Sequence, residues 1–591
     1  MHRRLRAMPL LPLAVLLLLL TVHRAAGCLA AAHRCNFDEA MRKSGPLPTA
    51  VVREVPRRGE GAAQAYTAAA ATVGGGKSNE GWAPIRIVVS MEDLKDPSKY
   101  CGSKTEQRPN FEGLYQQCFS ETILTADKNK TLVNEVIPVA VQLHAERLLV
   151  QRTKGELSVP QFVQGGNCQY FTVPQSHHTV GVSDADVVLY VAAGSGSTSW
   201  AVPCAVDAHG RPVAGVLHVF LSDVDYVMSA ARIIAHELGH TLGFGVEEMR
   251  NHNLLLSLPD VRGSANPAMV VNSPAALKET RKHYGCDTLQ GMELRMQDDG
   301  TPSSHWSQRN AKDELMSPYD SYSGGYYTAL TMAMFEDLGY YKAVWGMEEP
   351  MAWGNNSGCE FLDKQCAGDV HAAYPDMFCE VSDKSLHCTS DRQALGKCVR
   401  NVGNVAANPP ERCSVLFPTI GDDGNYDGYR TCILKGSDVF HGSLSGGNSW
   451  CLDGESLEAQ ANKDGSWQTG VGAVCAQVLC GFNEVMVKYL GGSDFELCPE
   501  GGFLEPKSPQ FKGGKIKCPR YEEVCTIAAN GSTVEVSPPP GSGGDSDDSD
   551  GDDDYYCEEY YDWPDGASAV TCTISLVLIA VLLLAKVLVL F

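Results

Sequence analysis

Residues 231–245, ARIIAHELGHTLGFG, place His236 and His240 four positions apart with Glu237 beside the first. On a helix, residues at i and i+4 lie one turn apart on the same side, so both imidazoles reach one ion. Glu237 falls one residue round the helix, where it reaches a water beside the ion rather than the ion itself. This is the chemistry of a hydrolytic zinc site. The metal polarises a carbonyl and lowers the pKa of water to about 7, and the carboxylate moves the proton. The plain alternative is two hydrogen-bonded histidines on an ordinary helix, a role that gives Glu237 no purpose.

A catalytic zinc takes a third protein ligand and keeps one position open. Gly243 fits the form HExxHxxGxxH, in which glycine permits a sharp turn after the helix, but Val246 stands where the third histidine would be. His252, Glu279, His283 and His305 follow as candidates, and Glu279 would make a site of two histidines and one glutamate. His305, in SSHWSQRN, has the best support. Met316, in DELMSP, comes eleven residues later, and a methionine turn beneath the metal soon after the third histidine completes the metzincin pattern.

These side chains need elements to hold them. At about 100° per residue, Ala231, Ile234, Ala235, Leu238 and Leu242 share one face of a helix over 226–242, and the histidines point away from it. That helix is expected to bury one side and offer the other to a cleft. Residues 85–89, 187–191 and 213–220 read as strands, and 132–150 as a helix that Pro138 should break or kink. Tyr327, Leu330, Met334 and Leu338 predict one more helix over 326–338. Strands mixed with long helices give an α/β layer for 84–245. Residues 213–220 are the strand expected to pair with an extended substrate.

The chain has 591 residues, 44% of them hydrophobic and 20% charged, enough for several domains with real cores. Its formal charge of −23 excludes a general nucleic-acid surface. Twenty-two cysteines fit a secreted, disulfide-bonded protein. Thirteen of them lie between 359 and 525, amid dense Gly, Asn, Asp and Ser turns, which reads as a separate β and loop-rich domain. Setting aside Cys28, Cys35, Cys557 and Cys572 leaves 22 − 4 = 18, the number that nine bridges need, although pairing is not legible. Asn129, Asn355 and Asn530 head glycosylation triplets.

Both ends carry address signals. A basic start, an apolar run at 8–22 and Ala25-Ala26-Gly27 predict a signal peptide over 1–27. At the other end, small residues at 566–568, a short spacer and the apolar run 574–591 predict a glycolipid-anchor signal, with a transmembrane helix as the alternative. Between body and tail, residues 545–565 hold eleven acids and no bases, so 537–568 is an extended stalk.

With these motifs in view, the chain resembles the leishmanolysin family, the surface zinc metalloproteases of trypanosomatid parasites. The likeness rests on VVREV at 51–55, IPVAVQLHAERL at 137–148, HELGHTLGF at 236–244, YGCDTL at 284–289, SSHWSQRNAKDELMSP at 303–318 and GYYTALTMAMFEDLGYY at 325–341. The resemblance implies His236, His240 and His305 as ligands, Glu237 as the catalytic base, Met316 in the turn, one zinc per chain and nine disulfides. HRCNFDE resembles the family's pro-region, whose cysteine blocks the zinc, so Cys35 is implied as a latency switch. Phe37 departs from that pattern, which has histidine there.

The expected organisation is multidomain α+β. A pro-segment spans 28–50 and a flexible segment 51–83. A metzincin-like catalytic α/β domain covers 84–245, a mixed central domain 246–358, and a disulfide-rich β/loop domain 359–536, with the stalk to 568 and the anchor region 569–591 beyond. The expected function is a zinc endopeptidase of protein and peptide substrates on the extracellular face of the plasma membrane. The oxyanion partner is not identified, and Tyr319 is expected to pack near the Met-turn. The rival is a surface adhesion protein with a silent zinc site. The two are compatible, since the cysteine-rich domain is a candidate surface for host or matrix proteins.

Overall fold

A computed structural model describes residues 35–53, 65–66, 81–318, 324–366, 373–383, 385–402, 411, 413–418, 431–433, 440–461, 465–481 and 483–534. The expected signal peptide, stalk and apolar tail lie outside these residues, as does Tyr319. Among the described residues no helix is long and apolar enough to cross a membrane.

The strand Val187–Ala192, VVLYVA, is buried at every position. A strand covered on both faces reads as a continuous apolar run, which is why it stands out in the sequence. It runs parallel to Ile87–Ser90 on one side and to Pro212–His218 on the other. Trp200–Val206 and Ala65–Tyr66 add antiparallel edges, closing a five-stranded sheet. Alternate side chains go to opposite layers. Val187, Leu189 and Val191 join Ala231, Ile234 and Leu238 of the helix Val227–Thr241. Val188 and Tyr190 join a second cluster that includes Phe37 and Ala40 of a short helix, Phe37–Lys43.

Two readings of the sequence change here. Pro212–His218 is paired on both sides, so it has no free edge for a substrate. The outer edge belongs to Trp200–Val206, and at its end Ala50 N–H donates to Val206 O while Val206 N–H donates to Pro48 O. The stretch 132–150 is not one kinked helix. A π turn, Leu132–Val136, joins Ala126–Thr131 to Ile137–Ala145, with the Ile137 N–H bonded to Leu132 O five residues back. Pro138 lacks an N–H, and this wider turn absorbs it without a break. The helix then stops, and Leu148–Gln151 becomes a strand between Trp82–Pro84 and Lys342–Ala343. Short apolar runs do not distinguish strand from helix by periodicity.

Past the helix Val227–Thr241, the chain builds a four-stranded sheet in the order Leu255–Leu258, Ala268–Val271, Met292–Met296, Pro302–Trp306. Further on, an antiparallel six-stranded sheet centres on Ser449–Gln460 and Trp467–Gly481. Nine disulfides are present, from Cys101–Cys118 and Cys168–Cys204 to Cys480–Cys525 and Cys498–Cys518. They use all eighteen cysteines expected to pair, and Cys35 is the free cysteine among the described residues. Nine bridges suit folding in an oxidising compartment.

One apolar core runs from Ile85 to Ile527. A buried ion network ties late residues to the HExxH helix. Arg232 donates to both Glu349 oxygens, at 2.5 and 2.9 Å, and to Gly531 O at 2.7 Å. Arg147 reaches Glu349 at 3.3 Å and the Thr533 hydroxyl at 2.6 Å.

Candidate metal centre

On the apolar face of the helix Val227–Thr241 the good helix formers Ala231, Ala235 and Leu238, with Ile234 beside them, press on the sheet. Its far side is not open. His236, Glu237 and His240 are all fully buried. The expected cleft is covered because residues 35–38 lie across it.

The Nε2 atoms of His236 and His240 are 3.2 Å apart, and those of His240 and His305 are 3.3 Å apart. A tetrahedral ion with bonds of about 2.0–2.1 Å to nitrogen has ligand edges of about 3.3–3.4 Å, so the spacing fits zinc. The outer nitrogens are held by hydrogen bonds. His236 Nδ1 donates to Leu315 O at 2.6 Å and His240 Nδ1 to Phe244 O at 2.8 Å, while His305 Nδ1 lies 3.5 Å from the Ser303 hydroxyl. Fixing Nδ1 as the donor leaves Nε2 of His236 and His240 as a lone pair facing inward. The donor set therefore fits a zinc ion.

Two glycines explain how the chain turns here. Gly243 has φ +111°, which side-chain-bearing residues avoid. That turn swings Phe244 O back over His240. At Gly239, a Cβ would meet Met316 Sδ at 2.6 Å. The methionine therefore packs directly beneath the helix between the two histidines. Its backbone is organised by Glu314, a buried carboxyl that accepts from Met316 N–H and from the Thr328 hydroxyl. Burial raises the Glu314 pKa to about 7, against the hydrogen bonds that lower it. Sequence reasoning missed Glu314. Lys312 and Asp313 stand directly before it, so nothing in the local sequence marks Glu314 as the buried acid.

The other candidates for third ligand are engaged elsewhere. His252 bonds the Tyr340 hydroxyl, His283 bonds Trp353 O, and Glu279 pairs with Lys278 and Lys282. His305 arrives on the strand Pro302–Trp306, which Met292–Met296 holds in register. The long insertion after Gly243 thus returns the third histidine by sheet pairing rather than by a turn.

Cys35 Sγ lies within 4.8 Å of a ring nitrogen of each of the three histidines. Its thiol is 3.5 Å from Glu237 Oε2, an oxygen that also accepts from Ala201 N–H at 3.1 Å. Burial, and then the Glu237 charge, push the thiol pKa well up, so without metal the sulfur is a protonated donor. Phe37 and Asp38, next along the chain, were missed as contacts. Phe37 stacks on His240, with centroids 4.3 Å apart. Asp38 accepts from Ser304 N–H at 3.0 Å and the Ser304 hydroxyl at 2.6 Å, beside His305. Of the triplet asparagines, Asn355 and Asn530 are exposed and Asn129 is half-buried on its helix.

The leishmanolysin family pattern matches residues 33–411 and 413–532. The chain belongs to the leishmanolysin family. It is a metalloendopeptidase. It is 36% identical over 490 residues to the leishmanolysin of Leishmania major, covering 78% of this chain and 80% of that one. A leishmanolysin homolog of Crithidia fasciculata is 33% identical over 478 residues, covering 76% and 72%. A leishmanolysin-like peptidase of Caenorhabditis briggsae is 27% identical over 311 residues, covering 41% and 46%. Membership implies a metal, and the histidine cluster is a place that suits one.

Proposed function

We propose that this leishmanolysin-family chain is a zinc endopeptidase of protein substrates on the outer face of the cell, made as a latent precursor. The convergence of three Nε2 atoms beside one carboxylate carries the reading. His236, His240 and His305 would hold the ion. Zinc, when bound, supplies Lewis acidity for the scissile carbonyl and acidifies water. The work of this chain's own residues is positional and protonic. Ala201 N–H fixes the Glu237 oxygen that lies 3.5 Å from Cys35 Sγ, and that sulfur belongs to the histidine cluster. Glu237 takes a proton from water and returns it to the leaving amine. The backbone carbonyls of Leu315 and Phe244 hold two ligand rings in place through the proton shifts.

Residues 28–50 act as a removable pro-segment. Cys35 occupies the open side of the cluster, Phe37 covers His240 and Asp38 pins the strand that carries His305. A thiolate on zinc would displace the attacking water. The secretory start, the disulfides and the apolar end of the sequence support a surface location. A purely adhesive protein with a silent site would not need Glu237 held in this way. The deciding experiment is cleavage of a protein substrate by the activated chain. Activity should vanish with a chelator and return with zinc, and persistence of activity in the metal-free chain would refute the reading.

A further inference from the structure

From each of the three histidines a short path leads to one buried side chain. His236 Nδ1 donates to Leu315 O at 2.6 Å. Trp306, next to His305, donates its backbone N–H to Met316 O and its indole N–H to the Thr331 hydroxyl, both at 3.0 Å. The same indole packs edge-on against Phe244, centroids 5.1 Å apart, and Phe244 O accepts from His240 Nδ1 at 2.8 Å. Leu315, Met316 and Thr331 all meet at Glu314. Leu315 follows it in the chain, and Met316 N–H donates to its Oε2. Because the indole donates to Thr331, that hydroxyl keeps its own proton for the Glu314 carboxylate. Thr328 also donates, its hydroxyl reaching Oε1 at 2.9 Å, and it caps the helix Ala329–Asp337 by accepting from Leu330 N–H at 3.1 Å. Glu314, Thr331 and Trp306 are fully buried.

Glu314 works as an acceptor at both oxygens, and the groups bonded to it are neutral donors. A carboxylate accepts at both atoms, whereas an amide turns one of them into a donor. Burying a charge costs stability unless hydrogen bonds satisfy it. Burial does raise this pKa, and the hydrogen bonds lower it. An acid kept here against burial is explained by what its oxygens hold. One holds the turn whose Leu315 O meets His236, and the carboxylate also holds the helix whose Thr331 fixes Trp306. Groups that orient metal ligands from behind set how well the metal is held. We propose that Glu314 is a positioning residue of the metal centre: its carboxylate locks the Leu315 carbonyl behind His236 and the Trp306 indole behind His305 and Phe244 into one arrangement, and so sets the affinity for zinc. This rests on the reading of His236, His240 and His305 as zinc ligands.

The test uses the secreted full-length chain after activation, as wild type, Glu314→Gln, Thr331→Val and the double variant. Zinc affinity is measured by competition with a chromophoric chelator. Cobalt(II) in place of zinc reports the ligand geometry through its visible absorption. Glu314→Gln should bind zinc about 10–100-fold more weakly and shift the cobalt bands. Thr331→Val removes one tie and no charge, and should weaken zinc binding by about three- to tenfold. The two losses should be less than multiplicative in the double variant, since both break the same path. On a peptide substrate with zinc saturating, kcat should fall while KM stays within about twofold, because no substrate contact is touched. Packing alone predicts a lower thermal midpoint of the metal-free chain and nothing more. A folded Glu314→Gln chain with zinc affinity within about twofold of the wild type, or with unmoved cobalt bands, therefore overturns the proposal. Should Glu314→Gln not fold, Thr331→Val decides by the same readouts. A wild type that binds no zinc defeats the ligand reading and this proposal with it. A wild type that binds zinc, with variants that match it, defeats this inference alone.

Discussion

Phe37 lies flat against His240, ring planes 8° apart and centroids 4.3 Å apart. This contact falls at the position where the resemblance to the family's pro-region implies histidine. An apolar ring therefore covers the ring proposed to hold the metal. Aromatic stacking is worth about 0.5–1.5 kcal/mol beyond buried area. Phe37→Ala should raise the activity of the unprocessed chain by about three- to tenfold, and Cys35→Ser should raise it further. Activity of the unprocessed chains against a quenched peptide is the measurement. Equal silence in both variants would assign latency to Asp38 and simple coverage.

Glu237 and His305 should separate chemistry from metal binding. Glu237→Ala is expected to keep zinc and lose about 100-fold or more in kcat, because it removes a base and not a ligand. His305→Ala should lose zinc as well, by metal analysis after dialysis. Full zinc occupancy in active His305→Ala protein would move the third ligand elsewhere.

Gly239 and Met316 should be coupled. Gly239→Ala places a methyl 2.6 Å from Met316 Sδ and should cost about 1–3 kcal/mol of stability. Met316→Ala alone leaves a cavity under the histidines. In the double variant the new methyl meets no sulfur, so the two costs should not add. Denaturant unfolding of the four proteins measures the coupling, and additive costs would show that the packing is not the cause.

Glu349 bridges Arg232 and Arg147 in the core. Glu349→Ala leaves two buried cations without their carboxylate and should destabilise by about 3–5 kcal/mol. Thermal unfolding checks this, and a loss below about 1 kcal/mol would mean that water replaces the carboxylate.

His218 gives an acid limit to stability. Its Nε2 accepts from Gly194 N–H at 3.2 Å and its Nδ1 donates to Thr198 O at 3.0 Å, so the ring is held neutral. Burial lowers its pKa to about 4, and burial does the same at His144. The unfolded chain takes up these protons near pH 6.5, the folded chain only near 4. Stability is therefore present above about pH 6.5 and falls as pH drops toward 4, by roughly 3 kcal/mol for each ring. His218→Asn keeps the donor to Thr198 and cannot gain a proton. Its denaturation midpoint should fall less steeply over that window than the wild type's, and an identical slope would release His218 from the role.

What the sequence by itself determined is local or additive. The pairing of His236 with His240 follows from helical spacing, and the strand Val187–Ala192 from an unbroken apolar run. The count of nine bridges follows from arithmetic on cysteines. His305 was separated from His252, Glu279 and His283 by the methionine motif and by resemblance, since nothing local marks a ligand that arrives by sheet pairing. Only the tertiary structure decided which cysteines pair, that Pro212–His218 is an interior strand, that Pro138 is absorbed by a π turn, and that residues 35–38 lie over the cluster. The physical reason is distance along the chain. Hydrogen bonds such as Asp38 to Ser304, or Asn36 to Glu112, join residues whose own neighbourhoods carry no periodic signal, and they exist only once the sheet and helices have brought the segments together.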